Sequence, residues 1–336
     1  MKMKFFAAAV LAVSTGLAQA EQVSFVFNYT DAAGFGFNDA ALGAQRRAAV
    51  ELAGQYWGSL LQASYAGETI NLGMSFNANS TSLNPLSASS LTTTYANAAM
   101  DNKGLANVQY VAPLAEHLAG RNLNGTAMDY NLVFNPNVNT YLGLDGNPGA
   151  NQYDFFSYSL RAIARTLGVV TRFDRSASAT QGAYFQQYDP ASNSYKMMPG
   201  IYDTFLVDGT GKTLTSMTNA QRLAAVTTGD VFWSGANANG QNGGVPLELN
   251  VMPLNADGTV NGNALIYMDT NNTNNLLTYL GIQPGETQGL DAQTAGIMKD
   301  MGWTLSVPLP VPEASTYAML LAGLGMIGFM ARRRSA

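Results

Sequence analysis

Apolar and polar residues alternate in some segments of the chain and recur at helical spacing in others, and the two patterns predict different elements. Alternation, which is typical of half-buried strands, covers residues 22–30, 68–77 and 128–137. Helical spacing covers residues 41–62, 90–101, 104–119, 157–168, 218–229 and 291–303. These segments follow one another without an internal repeat, so we expect a mixed α+β domain.

The first 20 residues have the pattern of a secretory signal peptide. Lys2 and Lys4 precede an apolar run of about a dozen residues, and the small-x-small sequence of residues 18–20 follows it. A membrane-spanning helix is the alternative interpretation, but the run is too short to cross a hydrocarbon core of about 30 Å. We expect cleavage before Glu21 and export of the rest of the chain.

The C-terminal end combines a short motif, an apolar run and an arginine cluster. Residues 314–331 contain no charged side chain. At a rise of about 1.5 Å per residue, a helix of that length spans about 27 Å, close to the thickness of the bilayer core. The arginines that follow favour a cytoplasmic C-terminus. We therefore expect a transmembrane helix at about 314–331 in the inner membrane, after an extended Pro-rich linker at 304–312.

This C-terminal pattern resembles the PEP-CTERM sorting signal, which Gram-negative bacteria with exosortases use to route exported proteins. The resemblance covers about the last 26 residues and rests on the apolar run and on Val311, Pro312, Glu313, Ala314, Arg332, Arg333 and Arg334. Ala314 stands where the motif has its second proline. The resemblance implies an exosortase-type sorting enzyme as partner and an exported protein in the cell envelope. It also implies a C-terminal anchor that is at least transient, with release to the extracellular matrix as the alternative. Because such proteins are often linked to exopolysaccharide, an exopolysaccharide or a surface protein is the expected further partner.

The composition excludes several kinds of partner and site. Charged residues make up 12% of the chain and the formal net charge is -5, whereas nucleic-acid binding depends on basic patches. We expect no nucleic-acid partner. The chain has no cysteine, which excludes disulfide bonds, a thiol nucleophile and cysteine metal ligands.

The segment YDFFSYSLRAIARTLGVVTRFD, residues 153–174, resembles the active-site helix of exported bacterial zincin-type metalloproteases. That helix carries His-Glu-x-x-His followed by x-Leu-Gly, and Leu167 and Gly168 match its end. Segments 202–238 and 291–303 resemble later parts of the same proteins. The resemblance implies a zincin-like exported domain over residues 21–303, with a loop-rich C-terminal lobe.

The chemical positions of the zincin motif are altered in this chain. By the resemblance, Arg161 and Arg165 replace the two histidines, Ala162 replaces the glutamate, and Tyr267 replaces a third metal ligand. Histidines at i and i+4 share a zinc ion, and the glutamate takes a proton from the zinc-bound water. Arginine has no lone pair for a cation, and alanine cannot accept a proton. The resemblance therefore implies a degenerate metalloprotease with no metal, no cofactor and no catalytic residue at these positions.

Other residues offer alternative catalytic groups. His117 is the single histidine, and it is predicted to be a surface or capping residue near the end of a helix. No Gly-x-Ser-x-Gly motif accompanies it. Paired carboxylates remain an alternative, with candidates at Asp154, Asp174, Glu248 and Asp269.

Two functions remain open from the sequence. The first is a binding or structural protein of the cell surface that has lost zinc binding and catalysis. The second is an active hydrolase or metalloprotease with non-standard ligands. In the first case the two guanidinium groups of Arg161 and Arg165 need acceptors. We expect these to be Asp269, an anionic ligand such as an acidic sugar or a peptide carboxylate, or water in an open cleft. Arg161, Arg165 and Asp269 are therefore the candidate binding residues.

Overall fold

The computed structural model describes residues 21–80, 85–91, 93–189, 193–261, 265, 267–269, 275–277 and 282–306. The predicted signal peptide, the sorting signal and the transmembrane helix lie outside these residues. The helices described are α1 (Gly43–Leu60), α2 (Ala112–Ala119), α3 (Phe155–Thr166), α4 (Asn219–Thr228), α5 (Ala236–Gln241) and α6 (Ala292–Met301). The strands described are β1 (Ser24–Tyr29), β2 (Thr69–Phe76), β3 (Leu86–Leu91), β4 (Thr94–Ala96), β5 (Gln109–Val111), β6 (Tyr130–Phe134), β7 (Thr140–Tyr141), β8 (Tyr153–Asp154), β9 (Gln186–Asp189), β10 (Ser194–Met197), β11 (Leu206–Asp208), β12 (Val231–Trp233) and β13 (Leu247–Leu249). The fold is α+β.

A four-stranded sheet in the order β1-β2-β6-β3 forms the centre of the N-terminal half. β1, β2 and β6 are parallel, and β3 pairs with β6 in the antiparallel direction. Met74 of β2 lies opposite Tyr29 on one side and Leu132 on the other. α1 connects β1 to β2, as the crossover between parallel strands requires.

The hydrophobic core lies between this sheet and the helices α1 and α3. Gly54 of α1 passes so close to the sheet that a Cβ atom there would lie 2.6 Å from the ring of Phe27. Trp57 of α1 is fully buried, and its Nε1–H donates a hydrogen bond of 2.9 Å to the carbonyl oxygen of Leu160 in α3. Apolar packing and this hydrogen bond together fix α3 against α1.

After α3 the described strands are at most four residues long. β11, β12 and β13 form an antiparallel sheet, and α5 packs on α6 at Gly296. A Cβ atom at Gly296 would lie 2.5 Å from the Cα of Ala238, so only glycine permits this approach. Trp303, directly after α6, donates through Nε1 to the carbonyl oxygen of Leu167 at 2.8 Å. This bond joins the C-terminal part to the end of α3.

Two predicted elements differ from the structure. Residues 90–101, predicted as a helix, contain the end of β3, the strand β4 and a short 3-10 turn at Asn97–Met100. Of the predicted helix 104–119, only Ala112–Ala119 is helical, because residues 109–111 pair with β4 instead. In both cases pairing with distant segments overrides the local helical pattern.

The first residues of the predicted linker 304–312 belong to the folded domain. They are attached to it, because Gln62 N–H donates to the carbonyl oxygen of Thr304 at 2.9 Å and Ser306 N–H donates to that of Leu60 at 2.8 Å. The remainder of the linker, residues 307–312, lies outside the described residues.

Candidate functional site

The helix α3 has a defined start and end that set the positions of its side chains. The carboxylate of Asp154 caps its first turn by accepting from the backbone N–H of Ser157 at 3.3 Å and from its hydroxyl at 2.5 Å. After Leu167 the chain leaves the helix at Gly168, whose φ of 117° suits glycine. Between these ends Arg161 and Arg165 lie one turn apart on one face.

The structure brings Arg161, Arg165 and Tyr267 together. The guanidinium carbon of Arg161 lies 3.7 Å from the centroid of the Tyr267 ring, and that of Arg165 lies 5.3 Å from it. Arg165 Nη2 also donates to the phenol oxygen of Tyr267. Arg161 is 5% exposed and Tyr267 is 5% exposed, so the contact is almost dry. Three positions that the zincin resemblance assigns to metal ligands thus meet at one point.

The charges around Tyr267 change its acidity. Burial opposes ionisation of the phenol, but the positive charges and hydrogen bonds of Arg165 and Arg161 outweigh it and lower the pKa of Tyr267 to about 7. In the same way, burial acts to lower the pKa of Arg165, while the phenol of Tyr267 raises it. The phenol is therefore a counter-anion for the arginines when it is ionised.

A third arginine, Arg175, is electrostatically coupled to these residues, and the sequence did not predict it. Burial and the charge of Arg165 lower the pKa of Arg175 to about 10, whereas Asp203 and Tyr267 act to raise it. Asp203 is fully buried, and it accepts hydrogen bonds from Thr171 Oγ1 and from the backbone N–H groups of Arg172 and Gly200. Arg175 follows α3 in an irregular segment, so no periodic pattern could have placed it near the helix.

Within the described residues, neither arginine of α3 forms an ion pair with a carboxylate. Arg161 Nη1 donates to the carbonyl oxygen of Leu276 at 3.4 Å, and Arg165 Nη1 donates to Ser89 Oγ at 3.4 Å. Arg165 Nε is buried without a hydrogen-bond partner. Asp269, the expected internal partner, lies next to Glu248, because its backbone N–H donates to the Glu248 carbonyl oxygen at 3.0 Å.

Ala162 and the single histidine, His117, are both buried in the interior of the domain. Ala162 is fully buried in the core. His117 is 3% exposed rather than at the surface as predicted, and its Nδ1 lies 2.9 Å from the Glu68 carboxylate. Its Nε2 accepts from the backbone N–H of Thr304 at 3.2 Å, and its ring packs on Trp303 with centroids 4.6 Å apart. The surface alternative was wrong because seven of the eight residues of α2 are buried, but His117 does lie in the last turn of this helix, as predicted.

Of the four carboxylates considered as a hydrolytic pair, only Glu248 and Asp269 are shown to be neighbours. Asp154 caps α3, and Asp174 accepts hydrogen bonds from Ser176 and Thr180. Glu248 and Asp269 are neighbours, and burial together with the charge of Asp269 raises the pKa of Glu248. Among the residues that the structure describes, no group of three or more His, Cys, Asp or Glu could hold a metal ion.

The decisive comparison with known proteins concerns the C-terminus. Residues 310–334 match the PEP-CTERM protein-sorting motif. The match includes all seven sorting-signal residues predicted from the sequence, from Val311 to Arg334. The chain is therefore an exported protein that is sorted to the cell envelope, and the sorting motif is recognised by an exosortase.

No curated protein and no solved structure matches the chain. In the described part, which ends at residue 306, no helix is long and apolar enough to cross a bilayer.

Proposed function

We propose that this protein is a non-catalytic binding protein of the cell surface, with a zincin-like body that has lost its zinc and binds an anionic group through the arginines of α3. The C-terminal helix predicted at about 314–331 anchors it in the membrane until the sorting enzyme acts. Two observations support anion binding. Arg161 and Arg165 both contact Tyr267, and neither arginine has a carboxylate partner in the described structure.

An excess of positive charge favours an anionic ligand at this site. Arg161 and Arg165 both contact the ring of Tyr267, which supplies at most one negative charge. Placing like charges together in a dry region is costly unless an anion compensates them. Guanidinium groups bind carboxylates in a planar, two-pronged geometry, which suits an acidic sugar. Arg165 Nε is buried and has no hydrogen-bond partner among the described residues.

The order of the elements supports a zincin-like body. The zincin resemblance implies the order strand, helix, strand, helices, strand and active-site helix. β1, α1, β2, α2, β6 and α3 occur in this order along the chain, with short strands between them and with one helix, α2, between β2 and β6. Tyr267 contacts Arg165 of α3 although the two residues are 102 positions apart in the sequence, and this contact supports the same proposal. Catalysis is not part of it, because arginine cannot hold a cation and Ala162 offers no base.

The binding proposal predicts a loss of affinity for polyuronates in α3 variants. We expect Arg161→Gln and Arg165→Gln each to weaken binding of polygalacturonate oligosaccharides by about tenfold or more, because a hydrogen bond to a charged group contributes about 1.5–3 kcal/mol. Isothermal titration calorimetry on the full chain in detergent measures this, with neutral dextran as the sugar control.

The matched control for this prediction is Arg121→Gln. Arg121 is exposed and pairs with Asp101, so its loss removes the same charge without touching α3. We expect this variant to bind like the wild type. Equal affinity of the wild type and both α3 variants, with all proteins folded, would remove the arginines from the binding site.

The proposal also predicts that the protein purifies without zinc. Elemental analysis of the full chain should give far less than one zinc per chain, and peptidase activity should not exceed that of a heat-inactivated sample. Because the three positions converge, we expect the triple variant Arg161→His, Arg165→His, Tyr267→His to bind zinc. One zinc per chain in the wild type would favour the metalloprotease alternative. No zinc in the triple variant would argue against a zincin-like origin of the site.

A further inference from the structure

The two ends of the exported domain pair with the same short segment, residues 60–63. At the N-terminal end, Ala63 N–H donates to the carbonyl oxygen of Glu21 at 2.7 Å, and Gln22 lies opposite Gln62 in an antiparallel bridge. The first exported residues therefore form one outer strand of a small ribbon.

The last described residues form the other outer strand. Leu305 lies opposite Leu61 in an antiparallel bridge, and Thr304 and Ser306 are bonded on either side of it to residues 60–63. We call residues 21–23, 60–63 and 304–306 the terminal ribbon. Neighbouring strands lie about 4.8 Å apart and rise about 3.3 Å per residue, so the two chain ends leave the ribbon within about 15 Å of each other.

Hydrogen bonds attach the terminal ribbon to the core of the domain. Thr304 N–H is held by Nε2 of His117, whose other nitrogen is bonded to the buried carboxylate of Glu68. Because an amide N–H can only donate, Nε2 accepts and Nδ1 carries the ring proton. Trp303, the residue before, is 2% exposed and bonded to the end of α3.

The distance from the ribbon to the membrane is limited by the length of the chain. Ser306 is eight residues before Ala314, where the predicted membrane helix begins. Eight extended residues reach at most about 28 Å. A domain of this length has a radius of gyration of about 19 Å, and hence a diameter of about 50 Å. The tether is too short to let the opposite side of the domain rest on the bilayer.

We propose that the surface around the terminal ribbon faces the membrane and rests on the lipid surface while the sorting motif is attached. This inference assumes that the tail inserts in the membrane, as argued under the proposed function. The turn after the ribbon, residues 64–67, belongs to this surface, because Gly67 N–H donates to the Glu21 carboxylate at 3.1 Å. Ser64, Ala66 and Gly67 in it are exposed.

The absence of cysteine from the chain allows a direct test with single-cysteine variants. Ala66 and Ala78 are both exposed alanines and lie beyond opposite ends of β2, which is about 26 Å long. Each is changed to cysteine in the full chain, labelled with a fluorophore and reconstituted in phospholipid vesicles whose headgroups carry a quencher. We expect the label at Ala66→Cys to lose most of its fluorescence and the label at Ala78→Cys to keep most of its own.

Two further variants separate this inference from the anchor on which it rests. Deletion of residues 307–336 should leave a folded protein that no longer floats with the vesicles, and a truncated protein that still floats would place the anchor elsewhere. Insertion of about 20 Gly and Ser residues after Ser306 should keep the protein on the vesicles but remove the difference between the labels. Equal quenching at both positions in the uninserted, anchored chain would overturn the proposed orientation. Protection of Ala66→Cys without lipid quenching would also overturn it, in favour of a protein partner.

Discussion

We expect one tyrosine of the sixteen in the chain to ionise near pH 7, about three pH units below an ordinary phenol. The cause is the pair of guanidinium groups of Arg161 and Arg165, which stabilise the charged form of Tyr267 despite its burial. Near-ultraviolet absorbance of the phenolate during a pH titration measures this. The rise in phenolate absorbance near pH 7 should be absent from the variant Tyr267→Phe. In Arg165→Gln this step should occur more than about one pH unit higher.

The control for this titration is Tyr158→Phe. Tyr158 also lies on α3, but burial raises its pKa and its hydroxyl donates to the carbonyl oxygen of Ile282 at 3.2 Å. It should stay protonated, so its removal leaves the step near pH 7 unchanged. A titration without any step below pH 9 would show that the arginines do not stabilise the phenolate.

The same shift predicts how stability depends on pH. The pKa of Tyr267 in the folded protein, about 7, lies below that of an unfolded chain, about 10. The unfolded state therefore binds more protons between these values, and stability rises with pH across this window. The contribution is complete above about pH 10, amounts to about 4 kcal/mol, and is lost as the pH falls through 7. Wild type and Tyr267→Phe should therefore differ in the slope of stability against pH between 7 and 10.

The second large effect concerns the junction of α1 and α3. We expect Trp57→Ala to lower the free energy of unfolding by about 3–5 kcal/mol, because it leaves a cavity in a fully buried position and removes the hydrogen bond to Leu160. Urea unfolding followed by circular dichroism measures it.

Trp57→Phe is the matched variant for this prediction. It keeps most of the ring volume but removes the Nε1–H donor, so its cost should be about 1–2 kcal/mol. A loss below about 1 kcal/mol for Trp57→Ala would mean that α3 does not depend on α1 for its position, and the geometry of Arg161 and Arg165 would need another support.

Long periodic segments allowed most of the central fold to be predicted. The predicted strands 22–30, 68–77 and 128–137 contain β1, β2 and β6, and the predicted helices 41–62, 157–168 and 291–303 contain most or all of α1, α3 and α6. In each, one face packs on a continuous core, so that the local pattern and the tertiary contacts agree. The prediction failed where pairing is non-local, as for Thr94–Ala96, whose partners are residues 109–111.

The candidate site was predictable only in part. The spacing of Arg161 and Arg165 places both on one face of a helix, and this follows from the sequence alone. Tyr267 was connected to them only through a family resemblance, because nothing local relates residues 102 positions apart. The burial of His117 against Glu68 depends on two elements that are 49 residues apart, which no sequence pattern shows.

The terminal ribbon also has a consequence for the timing of folding during export. Its outer strands come from residues 21–23 and 304–306, so the ribbon cannot be complete until both of these distant segments are available. Contacts of such high sequence separation form late, since a long loop must close first. A chain that emerges with its N-terminus first can therefore complete this ribbon only after residue 306 has emerged. We therefore expect completion of the ribbon to be among the last steps of folding.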